Sequence, residues 1–91
     1  MLKAKIIVSN IVEPLNGELI CQCLRNAHDK NVKYRDKPEH WAITIYEVRD
    51  YTEIGQDWAV IFLEGGEKTI EDFALELENA LTADVEIVWS W

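Results

Sequence analysis

The run Trp58-Ala59-Val60-Ile61-Phe62-Leu63-Glu64-Gly65-Gly66 decides how the rest of the chain is read. Six apolar residues in succession, Trp58 to Leu63, show no polar face. A run this short, closed by a Gly-Gly pair, is best read as a central strand covered on both sides. It lacks alternation, so two assignments stay open. Either Ala59, Ile61 and Leu63 or Val60 and Phe62 point away from the helices.

The flanks on either side are easier to read. Downstream, Ile70, Phe73, Ala74, Leu77 and Leu81 recur at helical spacing, which predicts a helix over 67–82. Glu67, Glu71, Asp72, Glu76 and Glu78 fall outside its apolar face. The chain turns near Ala83-Asp84 and ends as a strand in which Val85, Ile87, Trp89 and Trp91 alternate with Glu86, Val88 and Ser90. Upstream, Trp41 to Val48 is a β-branched and aromatic strand. Asp50 to Asp57, with Gly55, joins it to the central run as a hairpin.

Residues 2–12 form a first strand, with Leu2, Ala4, Ile6 and Val8 on one face and Ile7 and Ile11 on the other. Glu13-Pro14-Leu15-Asn16-Gly17 breaks it. Leu19, Ile20, Cys23, Leu24 and Ala27 then share one face of a helix at about 15–29. Asn16 is placed to cap it and Asn31 to stop it. Residues 31–40 are polar and basic, with Pro38, and read as a loop.

Strand, helix, strand, strand, helix, strand is the order of the ferredoxin-like split βαβ fold. Two right-handed crossovers place both helices on one face of a four-stranded antiparallel sheet. The first and third strands become central, and they are the two with apolar residues on both faces. The opposite face then carries Ile7, Ile11, Val88 and, on the second assignment, Phe62. A contiguous apolar patch of this kind calls for a cover. The simplest one is a second copy in a two-fold dimer.

Length and charge limit the function classes. Ninety-one residues suit one small domain, and 48% apolar content excludes disorder. No apolar run approaches the ~20 residues of a membrane helix, and the amino-terminal stretch does not read as a signal peptide. The expected compartment is the cytosol, with reduced thiols. The formal net charge of −8 argues against direct nucleic-acid binding. That charge is uneven. Residues 1–37 hold seven bases and four acids, whereas residues 38–91 hold two bases and thirteen acids.

Motifs of chemistry are thin. Gly65-Gly66-Glu67-Lys68-Thr69 has the tail of a phosphate loop, but Glu67 stands where Gly is needed and the upstream Gly is missing. Cys21 and Cys23, two apart on a helix, point roughly 200° apart, which disfavours a disulfide between them. His28 and His40 reproduce no metal spacing. Aromatic strands can read single-stranded RNA, but residues 38–91 contain only Arg49 and Lys68 as cations. Trp58 and Trp89 read as core, and Trp91 as the exposed or interface aromatic. No catalytic residue, metal or cofactor is expected.

The acids Glu67, Glu71, Asp72, Glu76 and Glu78 suit a surface that meets a basic partner. The expected function is therefore that of a small, non-enzymatic interaction or regulatory protein. One form is an inhibitor presenting an acidic helix to a nucleic-acid-binding protein. The strand, the loop Glu13-Pro14-Leu15-Asn16-Gly17 and the helix with Leu19, Ile20 and Leu24 also resemble an ACT-type regulatory module. That resemblance implies small-effector binding at Glu13, Pro14, Asn16 and Gly17, although Leu15 and Asn16 separate Pro14 from Gly17 where the family has Pro-Gly. The element order is also similar to that of dimeric α+β-barrel, cofactor-independent monooxygenases, which implies a pocket between two sheet faces near Ile7, Tyr46, His40 and the tryptophans.

Overall fold

A computed structural model describes residues 2–31 and 42–91. The elements are β1 (Leu2–Ser9), α1 (Gly17–Asn31), β2 (Ile43–Asp50), β3 (Ala59–Gly65), α2 (Glu67–Leu81) and β4 (Asp84–Trp89). The sheet order is β2-β3-β1-β4, and every neighbouring pair is antiparallel. This is the ferredoxin-like α+β fold, with β1 and β3 central.

Strand pairing resolves the ambiguity of the apolar run. Ala59, Ile61 and Leu63 are buried with Ala4, Ile6 and Val8 under the helices, beside Ile20, Cys23 and Ala27 of α1 and Ile70, Phe73 and Leu77 of α2. Val60 and Phe62 therefore take the open face. Two residue rows cross that face. One runs Glu47, Phe62, Lys5, Val88; the next runs Arg49, Val60, Ile7, Glu86.

Each helix starts and stops for a local reason. The Asn16 side-chain oxygen accepts the Leu19 N–H at 2.8 Å, a capping bond at the start of α1. Glu18 lies in the first turn, with His28 and Lys30 in the last, as the helix dipole favours. At the end of α2, Thr82 takes a left-handed conformation with φ 51°. Between β2 and β3, the Asp50 carboxylate accepts the Thr52 N–H at 2.9 Å, and Gly55 turns the chain at φ 87°.

Three expectations fail, two of them through a single backbone torsion. β1 ends at Ser9 because Asn10 adopts φ 58°, which interrupts the two-residue alternation. Ile11 consequently drops into the core at 7% exposure and does not share the open face with Ile7. Ser90 does the same at the other end of the chain. Its φ of 83° throws Trp91 off the Trp89 side of β4 and onto the open face. The third is Trp89, which is 41% exposed at the end of an outer strand rather than core. Trp58 is half-buried and stacks on Tyr51 at 4.1 Å. His40, Trp41 and the rest of the basic loop, residues 32–41, fall outside the described residues, while Asn31 closes α1.

Candidate functional site

The acidic helix divides into two groups. Glu67, Glu71 and Glu78 are exposed on α2. Asp72 and Glu76 turn toward α1, and their side chains are only 14% and 20% exposed. Asp72 accepts from Asn31 Nδ2 at 2.8 Å and pairs with Lys68 at 3.4 Å. Glu76 pairs with Lys30 at 3.2 Å. The like-charged spacing of Asp72 and Glu76 is thus offset by cations and an amide, partly from the other helix. Glu76 therefore joins the helices and is withdrawn from the outward acidic surface, contrary to the sequence reading, whereas Asp72 bonds Asn31 and Lys68 and still lines a groove beside β4.

The outward acids border a groove. Leu75, 48% exposed, stands between the turns that carry Glu71 and Glu78. Beside it, α2 and β4 leave a groove of about 350 Å³, with Glu71, Leu75, Glu78 and the paired Lys68 and Asp72 on one wall and Val85 and Ile87 on the other, so that acids outnumber the one cation on its helix wall. Strand alternation places Val85 and Ile87 on the helix side of β4, with Asp84 and Glu86 on the open side. Acids therefore flank this edge of the molecule on both faces. Pattern reasoning found the acids but missed the groove, because Val85 and Ile87 read as ordinary core positions.

The open sheet face holds Ile7, Phe62 and Val88 together, each half-buried. Trp91 lies across Phe62 with ring centroids 5.5 Å apart and meets Tyr46 edge-on at 5.7 Å. Its indole N–H donates to the Leu63 carbonyl at 3.1 Å. Lys3 sits 5.0 Å from the Trp91 ring, and Arg49 lies 4.9 Å from Phe62. The cations have nearby acids. Arg49 bonds Glu47 at 3.0 Å, Lys3 is the register partner of Glu64, and Glu86 neighbours Ile7. The face is thus an aromatic cluster of balanced charge, not a basic footprint. Desolvation first, then the Glu64 carboxylate that its hydroxyl bonds at 3.2 Å, raises the Tyr46 pKa. The bond to Glu47 raises that of Arg49.

The Glu13–Gly17 loop is built as a helix entry. Glu13, Pro14 and Gly17 are exposed, Asn16 is occupied as the α1 cap, and Leu15 is buried with its N–H 3.4 Å from Thr52 Oγ1. Cys21 is exposed and Cys23 buried, both as free thiols. Among the described residues, no three His, Cys, Asp or Glu side chains converge in a way that could hold a metal. No helix among them is long and apolar enough to cross a membrane.

Comparison with protein-family models, with curated proteins and with solved structures returned no match.

Proposed function

We propose that this protein is a non-enzymatic binding module that captures a basic protein surface along the flank formed by α2 and β4. One observation carries the reading: the exposed Leu75 and the apolar wall of Val85 and Ile87 sit inside a border of exposed Glu71 and Glu78. An acidic surface serving only solubility needs no such apolar centre. A binding surface does, because a desolvated apolar core supplies most of the affinity while the charged rim steers approach. A nucleic-acid-binding protein fits as partner, since its own groove supplies the cations, and occupying that groove would inhibit it.

The test is affinity capture with the wild-type chain and with a Glu67→Lys, Glu71→Lys, Glu78→Lys variant, followed by identification of what is retained. The reading expects a basic protein that wild type retains and the folded variant loses, with binding that weakens as salt rises. Equal retention by the variant overturns it.

The open face favours a second, compatible reading, a two-fold dimer. Ile7, Phe62 and Val88 lie together there, with cations and acids interspersed, so a two-fold axis can set each against its opposite. Sedimentation equilibrium should give twice 10.6 kDa at micromolar concentration, and a single-chain mass overturns this reading.

A further inference from the structure

We infer that the partner engages by strand addition, an extended basic segment pairing with the free edge of β4 and setting alternate side chains into the groove beneath α2. This inference rests on the proposed capture of a basic partner and specifies how it is held.

β4 ends the sheet order, so one of its two edges pairs with no strand among the described residues. The register shows which backbone groups lie on that edge. The Ser90 N–H donates to the Lys3 carbonyl at 2.6 Å. Counting in twos from that pair, Val88 with Lys5, Glu86 with Ile7 and Asp84 with Ser9 direct their backbone groups toward β1. The N–H and C=O groups of Val85, Ile87 and Trp89 therefore point outward. These are the residues whose side chains lie on the helix side, two of them in the groove wall. An added strand would bond the outward groups and send alternate side chains against Val85, Ile87 and Leu75. The side chains between would stand over Asp84 and Glu86.

The other edge is less suited. β2 carries a bulge between Ile45 and Glu47, with Tyr46 as the extra residue, whereas β4 keeps its register with β1 through six consecutive residues. A bulge twists an edge and blunts strand addition.

Charge selects the occupant. A second copy paired through its own β4 would set Glu86 opposite or diagonal to the other Glu86. It would also bring two α2 helices, each with Glu71 and Glu78, to the same side. A strand alternating Lys or Arg with β-branched residues meets acid on one face and Leu75, Val85 and Ile87 on the other.

The probe is a fluorescent heptapeptide, Lys-Val-Arg-Ile-Lys-Val-Arg, titrated into the intact wild-type chain. Its controls are the same peptide N-methylated on alternate residues and a Glu71→Lys, Glu78→Lys, Glu86→Lys variant, which reverses the acids on both faces of the edge. The inference expects saturable binding, with slowed amide exchange at Val85, Ile87 and Trp89. It expects N-methylation on the pairing edge to weaken binding at least about tenfold, since two or more backbone bonds are lost. Equal binding of the methylated peptide, with loss on charge reversal, overturns strand addition and leaves the acidic capture surface standing. Binding indifferent to charge reversal overturns both. No binding of any peptide overturns strand addition alone, because the capture assay with the triple variant tests the surface separately.

Discussion

The side-chain amide of Asn31, at the last turn of α1, donates to Asp72 on the flank of α2 at 2.8 Å and also to the Ala27 carbonyl at 2.8 Å. Asn31 is almost fully buried. A buried amide and a half-buried carboxylate are costly to leave unpaired, so this contact fixes where the two helices meet. Asn31→Ala removes the donor and leaves Asp72 with Lys68 alone. Urea unfolding should show a loss of about 1–3 kcal/mol. Asn31→Asp should show a pH signature as well. Two facing carboxylates repel, which raises the native pKa above the unfolded value of ~3.9. A raised carboxyl pKa means stability present at low pH and lost as pH rises through the native value. The deficit of this variant against wild type should therefore be largest at neutral pH and shrink on acidification.

Trp91 closes over the sheet face that both helices leave bare. Its two edge-on ring contacts and its bond to the Leu63 carbonyl all depend on the left-handed turn at Ser90. An aromatic pair contributes about 0.5–1.5 kcal/mol beyond buried area, and a neutral hydrogen bond adds about 1. Trp91→Ala should lower stability by ~1–2 kcal/mol and expose Phe62. Tyr46 supplies a local readout. Its raised pKa comes from desolvation and Glu64, so absorbance titration should find it ionising later than a free tyrosine. Removing the indole should bring that midpoint down.

The hydropathy periods of 2 and 3.6 made five of the six elements readable, and the third strand was readable from its short continuous apolar run closed by Gly65-Gly66. What they could not convey was direction at isolated torsions. Asn10 and Ser90 are ordinary polar residues in the sequence, yet their positive φ sends Ile11 into the core and Trp91 onto the open face. The run 58–63 had no alternation, so only pairing with β1 could orient Phe62. Asp72 and Glu76 looked like surface acids because their partners Asn31 and Lys30 are some forty residues away in the chain. The groove beside Leu75 had no local signature, since it exists only where α2 crosses an outer strand.

The two thiols should separate cleanly by reactivity. Cys21 is exposed on α1, whereas burial first and the Glu76 carboxylate second push the Cys23 thiol above its ordinary pKa. The thiolate is the nucleophile, so a disulfide reagent near pH 8 should titrate Cys21 quickly and Cys23 only on unfolding. The same shift links stability to alkaline pH. The folded chain holds the Cys23 proton more tightly than the unfolded one. Stability is therefore complete below the unfolded thiol pKa of ~8.5 and declines as pH climbs toward the raised native value. Cys23→Ala should flatten that part of the alkaline decline, while Cys21→Ala should leave it unchanged.

Two single-atom-scale changes should move stability in opposite directions. Gly65 ends β3 where β2 begins, and a Cβ there would lie 2.5 Å from the Ala42 carbonyl oxygen and 3.0 Å from Ile43 Cα. Both obstacles are backbone. The Ala42 oxygen is also held by the Gly66 N–H at 2.9 Å, so it cannot withdraw without losing that bond. Gly65→Ala should cost about 1–3 kcal/mol by overpacking. Thr82 presents the reverse case. It ends α2 at φ 51°, a conformation that crowds a β-branched side chain and suits glycine. The strain relieved is ~1–2 kcal/mol, less the greater unfolded-state freedom of glycine, so Thr82→Gly should give a net gain below about 1 kcal/mol. Thermal denaturation of both variants beside wild type checks the signs. A destabilised Thr82→Gly would mean that the threonine side chain contributes more at that turn than its backbone strain costs.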